Sequence, residues 1–510
     1  MGNHFKVNEN LFYADDPHVR KNTFIGMEHI EKPLPTYGDS ANLLPRPMWE
    51  GHESVIKAHD FAWRTAFKNL RSAKSEAGFV SDFIDTAFNG YLFMWDSSFI
   101  VMFGKYGSRA FDFQKTLDNF YSHQHKDGFI CREICEDIEG EQFTRDDPAS
   151  TGPNILPLAE WDYYLSTGDK DRLSRVFDPL LAYHRWLRLN RSWQDGSYFS
   201  CGLACGMDNQ PRQPDGYSPF LSHGHMSWID ICAEQYLSAN ILISMAKVLD
   251  RESEVDDLVS ESALLSDTVN NKMWSESDGF YYDRYRNGTL SGVKTVGAYW
   301  TLLAGLVPDS RRDRFVAHLD DPNEFKRHNR VPSLSADHPL YRKYGGYWRG
   351  GVWAPTNYMV LRGLHKYSYD ALAFDIARTH LENVVEVFEK TGTLYENYAP
   401  ELAAPGDPAK PDFVGWTGLS PVSILYEFVF GIHPEASERR IVWDVRLLEK
   451  HGVCNYPFAD AVLDLTCERR SSPSEKPRVC ASIVSPSSSS APAPVTIEVL
   501  WSGGEYTVQI

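Results

Sequence analysis

From residue 50 to residue 431, apolar side chains recur at three- and four-residue spacing in stretch after stretch, with turn residues between them. The spacing predicts twelve helices, over 50–73, 96–106, 108–122, 152–167, 170–190, 224–250, 253–273, 292–306, 308–320, 352–366, 368–390 and 417–431. Helices in such a series can bury their apolar stripes only against one another. Six helical hairpins of similar length, without a strict sequence repeat, point to a mainly α chain folded as an (α/α)6 toroid whose loops converge on one mouth. The 510 residues and 42% hydrophobic content allow a large core.

Local signals sharpen some of these helices. In the segment 368–390, Leu372, Ile376, Val384, Val387 and Phe388 fall on one stripe, Ser368 is placed to cap the start, and Gly392 to end it. Asp178-Pro179 supplies a cap and a first-turn proline inside 170–190, which predicts a break there. Residues 1–50 lack a helical period and read as an extended arm, leaving 51–431 as the helical domain. From 432 to 510 short apolar runs such as Ala461–Leu465 and Val495–Leu500 alternate with Ser/Pro-rich turns, as in a small β module. Ser485–Pro494 is a low-complexity surface loop, and the turn at Asn287-Gly288 predicts a hairpin over 279–288.

Long connections at 74–95, 123–151, 191–223, 321–351 and 391–416 are rich in aromatics and glycine, and long loops in a compact domain tend to carry function. Two acids stand out in them. Glu396 lies between Tyr395 and Tyr398, just past a helix end, and Asp208 lies in Gly206-Met207-Asp208-Asn209-Gln210-Pro211-Arg212. A third loop reads Gly346-Tyr347-Trp348-Arg349-Gly350-Gly351-Val352-Trp353. Glycosidic bond cleavage needs one carboxyl group protonated and a second ionised. Neighbouring rings raise an acid's pKa by excluding water and offer flat faces to sugar C–H surfaces. The pattern therefore suits carbohydrate chemistry, although Asp208 beside Asn209 and Pro211 also suits a plain turn. Asp96 sits where a helix N-cap is expected, Arg349 stands before a Gly-Gly pair that lets backbone approach a ligand, and Gln124 and Arg132 flank Asp127-Gly128 as candidates for sugar hydroxyl contacts.

Bulk charge excludes other classes. A net charge of -18 repels nucleic acid at long range, and no apolar run is long enough to span a bilayer. The N-terminal residues Met1-Gly2-Asn3-His4-Phe5-Lys6 lead into no secretory h-region, and eight scattered cysteines fit reduced thiols in a cytoplasm. The Cys131/Cys135 and Cys201/Cys205 spacings and His223-Gly224-His225 lack a full ligand set, so no metal site is expected.

Taken in order, Tyr91-Leu92-Phe93-Met94-Trp95-Asp96-Ser97-Ser98-Phe99, Gly206-Met207-Asp208-Asn209, Tyr347-Trp348-Arg349-Gly350 and Tyr395-Glu396-Asn397-Tyr398 resemble the trehalase-like clan of inverting glycosidases. The nearest likeness is to glycoside hydrolase family 63 and its mannosylglycerate and glucosylglycerate hydrolase branch, over residues 85 to 430. The resemblance implies that Asp208 is the general acid and Glu396 the base. It further implies that Trp95 and Asp96 hold the sugar, that Trp348 and Arg349 line the same subsite, and that Trp416 closes another wall, with Tyr398 also counted as substrate-binding. The expected activity is exo-acting, inverting hydrolysis of an α-linked glucoside or mannoside, on a small carbohydrate substrate and with no cofactor. Gly351 stands where the family often has Pro, and Gln213 where it has an aromatic, the latter in the leaving-group region. A sugar epimerase or polysaccharide lyase using His223, His225 or Tyr398, and a noncatalytic glycan-binding protein, are the competing readings.

Overall fold

Ten of the eleven residues of the helix Met94–Gly104 are buried, Asp96 alone excepted. A helix apolar on every side must be packed on every side. The computed structural model describes residues 14–86, 90–136, 140–486 and 493–510. Residues 1–13 of the expected arm and most of the expected 485–494 loop lie outside the described residues. The helices of nine or more residues are α1 (Glu53–Lys68), α2 (Met94–Gly104), α3 (Leu156–Thr167), α4 (Lys170–Asn190), α5 (Ile229–Val248), α6 (Asp256–Lys272), α7 (Asp309–Ala317), α8 (Ala354–Lys366) and α9 (Asp370–Thr391). The other three expected segments wind differently. Phe113–Leu117 and Val296–Tyr299 are 3₁₀ turns that run into the short helices Asp118–Ser122 and Trp300–Ala304, and the 3₁₀ turn Thr417–Leu419 continues as a π-type helix, Ser420–Val429.

The segments sort into two layers by burial. Contacts run from α2 to α3, α3 to α5, α5 to Trp300–Ala304, that helix to α8, α8 to Thr417–Leu419, and from there back to α2. α1, α4, α6 and α9 pack outside them and keep a solvated face: α9 buries Ile376, Val384 and Val387 but not Asp375 or Glu386. The first turn of α2 and the loops before α3, before α8 and before Thr417–Leu419 meet at one cavity.

Two local expectations are corrected. Pro179 does not break 170–190: α4 is continuous, capped by Asp169, whose carboxylate accepts from the Arg172 amide at 2.9 Å. Phe177, Pro179, Leu180 and Leu181 are all buried, so packing holds the turn that lacks an amide hydrogen bond. Asp178 turns to Arg251 (2.8 Å) and His18 (2.7 Å) rather than capping. Ser368 does not cap α9; it takes a left-handed conformation (φ 62°) two residues before the helix starts. Gly392 does end it, at φ 77°.

Beyond the helices the chain forms two four-stranded sheets. One contains β1 (Arg46–Trp49), β4 (His451–Phe458), β5 (Ala461–Cys467) and β6 (Val479–Pro486) in that order; the other has β2 (Ile432–Glu435), β3 (Arg440–Asp444), β7 (Thr496–Trp501) and β8 (Gly504–Gln509). The expected arm thus supplies an edge strand: Arg46 to Trp49 pair antiparallel with Cys454 to His451. Inward residues such as Ile441, Trp443, Leu463, Ile497 and Val499 join the same apolar core as the helices.

Candidate active site

Gly206, at φ 77°, turns the chain sharply after the short helix Gly202–Cys205 and sets Asp208 facing the first turn of α2. The loop is tied down on both sides. Gln210 donates to the Ser333 carbonyl at 2.6 Å and accepts from Thr295 Oγ1 at 2.8 Å. The fully buried Arg212 forks onto two carboxylates, reaching Asp230 Oδ1 at 2.8 Å and Asp283 Oδ1 at 2.7 Å, with its guanidinium 4.4 Å over the Trp228 ring. The arginine of this motif is an anchor.

The second acid is set by strand-like pairing. Past Gly392 the segment around Glu396 runs beside Lys410, with the Glu396 amide donating to the Lys410 carbonyl at 2.9 Å, while Tyr398 and Val352 exchange backbone bonds of 2.9 Å. The Glu396 carboxylate accepts from the Tyr347 hydroxyl at 3.0 Å and from the Lys410 amide at 3.2 Å. Trp416 Nε1 donates to the Glu396 carbonyl at 2.9 Å.

Asp208 and Glu396 line one cavity of about 370 Å³, together with Asp96, Arg132, Tyr347 and Lys410. Its floor is aromatic. Trp95 lies 5.7 Å from Trp348 and 5.7 Å from Trp416, and Trp348 stacks on Trp353 at 3.9 Å. Phe93, Met94, Leu203 and Phe413 make the apolar wall. The backbone pairing of Tyr91–Phe93 with Glu133–Cys135, and the Met94 amide on the Arg132 carbonyl at 2.8 Å, bring Arg132 beside the start of α2.

Three carboxyl groups in so small a space cannot all be charged at neutral pH. Burial pushes the Asp208 carboxyl up to about 7, with Arg132 pulling it down and Glu396 and Glu133 adding to the rise. Burial also lifts Asp96 well above the carboxylate range, helped by Glu396 and Asp208. Glu396 is raised by burial too, with the Lys410 amide and Tyr347 hydroxyl opposing the rise because they favour its charged form. Burial and the Glu396 charge raise the Tyr347 phenol, which therefore stays a donor.

Of the residues expected from sequence, Asp208, Glu396, Trp95, Asp96, Trp348 and Trp416 come together in the cavity, and Gln124, Arg349 and Tyr398 do not line it. Gln124 is corrected to a structural place: buried, it donates to the carbonyls of Gly128 (3.1 Å) and Pro179 (2.8 Å) and accepts from Asn22 (2.9 Å). The Tyr398 ring is buried behind the loop and its hydroxyl accepts from the Tyr395 amide at 3.1 Å. Arg349 reaches the Asn209 carbonyl at 3.4 Å. Tyr347 and Lys410 carry no signal of a role in the sequence; the return of 405–411 against 394–398 puts Lys410 on Glu396, and the pairing of Val352 with Tyr398 brings the Tyr347 loop there.

Among the described residues, His18, Asp178 and Glu254 form a cluster compatible with a metal. Arg251 and Lys21 already occupy its carboxylates, at 2.8 Å to Asp178 and 3.2 Å to Glu254. His223 and His225 face each other, ring centroids 4.6 Å apart, and do not line the cavity. All eight cysteines are free, and no helix among the described residues is long and apolar enough to cross a membrane.

An aromatic-floored cavity that brings Asp208 and Glu396 together at the start of α2 holds the paired carboxyl groups that a glycoside hydrolase needs. Residues 90–417 match the mannosylglycerate hydrolase MGH1-like glycoside hydrolase domain, and the chain belongs to that family. It is 24% identical over 355 residues to the mannosylglycerate hydrolase of Thermus thermophilus, covering 56% of this chain and 83% of that one. It is also 24% identical over 302 residues to the mannosyl-oligosaccharide glucosidase of Saccharomyces cerevisiae, and there the match takes in 54% of this chain and only 35% of the yeast protein. The crystal structure of a GH63 mannosylglycerate hydrolase from Thermus thermophilus in complex with glucose shares the fold, with a TM-score of 0.58 and 21% identity over 71% of this chain and 99% of that one.

Proposed function

We propose that this chain is an exo-acting, inverting glycoside hydrolase that cleaves an α-linked glucoside or mannoside. Asp208 protonates the glycosidic oxygen as the bond breaks, while Glu396 deprotonates a water attacking the anomeric carbon from the opposite face. One observation carries the reading: two carboxyl groups share a 370 Å³ aromatic-floored cavity, Asp208 lifted to about 7 by burial and Glu396 accepting from two donors that oppose its own burial-driven rise. Two carboxyl groups in different hydrogen-bonding surroundings can divide the roles of acid and base. The cavity is small among ligand sites of ~300–1,000 Å³, and its indole floor closes one end, which suits a terminal sugar. The names of the mannosylglycerate hydrolase and of its glucose complex favour mannose or glucose at that end.

The circuit of inner contacts from α2 around to Thr417–Leu419 supports closure of the helices as an (α/α)6 toroid. We assign 1–50 to an arm, 51–431 to the catalytic domain and 432–510 to a β module, and read the eight free thiols as those of a cytoplasmic protein. Sugar hydroxyls would meet Asp96 and Arg132. The proton-abstracting alternatives have no support here, because His223, His225 and Tyr398 all lie off the cavity.

The test is hydrolysis of a panel of α-glucosides, α-mannosides and glycosylglycerates followed by proton NMR. The first anomer released is expected to be inverted. Asp208→Asn and Glu396→Gln are each expected to lose about 100- to 10,000-fold in turnover. Retention of configuration, or more than a tenth of wild-type rate in either variant, would overturn the assignment. An unsaturated or epimerised product would reinstate the alternative chemistry, and binding without turnover a glycan-binding role.

A further inference from the structure

We propose that Asn209 and Tyr347 form a positioning bridge between the two acids, so that the loop carrying Asp208 also sets the place and readiness of the Glu396 carboxylate. The inference rests on the acid–base reading above. Asn209 follows Asp208 directly and uses both ends of its amide on the backbone either side of Tyr347. Its Nδ2 donates to the Gly346 carbonyl at 3.1 Å, and its Oδ1 accepts from the Trp348 amide at 2.9 Å.

What lies between those two bonds is a residue in an unfavourable conformation. Tyr347 has φ 64°, a left-handed backbone that a bulky residue holds only when its surroundings enforce it. The flanking sequence Gly345-Gly346 and Gly350-Gly351 is pliable and cannot enforce it alone. The Asn209 clamp does, aided by packing of the Tyr347 ring on Trp353 at 5.0 Å. Held so, the phenol points its hydroxyl at Glu396 Oε1, 3.0 Å away. The other oxygen, Oε2, is held from the base's own side by the Lys410 amide. One oxygen of the base is therefore set by its own loop, and the other by a loop that the acid's neighbour clamps.

A donor to a carboxylate favours the charged form, and a base must be charged to accept the water's proton. The groups that act on Glu396 are the Tyr347 phenol and Lys410 in contact with it, and Asp208, Asp96 and Arg132 within the same cavity. Removing the phenol hydroxyl leaves Glu396 easier to protonate, so the acidic limb of the rate profile moves to higher pH.

The experiment compares pH–rate profiles of wild type, Tyr347→Phe, Asn209→Ala and the double variant, with Asp208→Asn and Glu396→Gln alongside and melting curves for each. Tyr347→Phe is expected to lower kcat about tenfold and raise the acidic limb by about one pH unit, as loss of a hydrogen bond to a charged group should. Asn209→Ala is expected to move the same limb the same way, and the double variant to move it no further than the larger single change, as two links of one chain do. An unmoved acidic limb in folded Tyr347→Phe, or additive effects in the double variant, would overturn the bridge while leaving the acid–base reading intact. If Asp208→Asn or Glu396→Gln stays active, the acid–base reading fails instead. A crystal structure of Asn209→Ala still decides the clamp in that case: Tyr347 leaving its left-handed backbone and its contact with Glu396 supports it, and Tyr347 unmoved overturns it.

Discussion

Gly206 lies flat against the indole of Trp95: a Cβ built on it would come within 2.3 Å of Trp95 Cε3. With φ 77° as well, this position excludes a side chain twice over, by strain and by collision with the ring that floors the cavity. The glycine before the acid is there so that the loop can close on the tryptophan.

Gly206→Ala is accordingly expected to displace Asp208 or Trp95. Left-handed alanine alone costs about 1–2 kcal/mol, and displacement of an acid by an ångström lowers kcat/KM on the order of 100-fold. Steady-state kinetics and a melting curve check both.

Arg212 holds Asp230 and Asp283 in a site that solvent does not reach, with all three side chains fully buried. Arg212→Leu leaves two carboxylates without their cation, which typically costs about 3–5 kcal/mol. A large fall in Tm is expected by calorimetry, with partial recovery in Arg212→Leu/Asp230→Asn/Asp283→Asn, where no charge is left to strand.

The Asp208 carboxyl titrates near 7, so kcat/KM is expected to decline as pH rises through about 7 while the acid loses its proton. Stability follows the same sign. The folded state holds this proton to higher pH than the unfolded chain, whose aspartates ionise near 3.8, so between those values folding is progressively weakened as pH rises. Asp208→Asn is expected to be more stable than wild type at pH 8, on the order of 2 kcal/mol because the carboxyl still opens to the cavity, and equal to it at pH 3. Urea titrations at the two pH values measure the difference.

Gln124→Ala should leave kinetics unchanged and weaken the fold. It removes one partner each from the buried Asn22 amide and the carbonyls of Gly128 and Pro179, at a cost of about 1–3 kcal/mol. A raised KM without loss of Tm would return Gln124 to the substrate.

The helices were legible in the chain because burial writes a period of 3.6 into the sequence, and each of the twelve expected segments is helical in whole or part. Boundaries were less so. Ser368 and Asp178 carry the right chemistry for caps, yet one is left-handed and the other belongs to an ion network with Arg251 and His18. Local preference yields where a tertiary partner offers more.

The same division runs through the site. Trp95, Asp96, Asp208, Trp348 and Glu396 could be named from motifs, because each motif is a short run whose residues travel together, and Trp416 from the family resemblance those motifs carry. That they share one cavity, that burial lifts the Asp208 carboxyl to about 7, and that Arg212, Gln124 and Tyr398 support the frame, was decided by which loops return against which. Composition and periodicity determine what a segment can become, since they act between neighbours along the chain. Proton affinity and hydrogen-bond partnership depend on groups hundreds of residues away, and only folding brings those within reach.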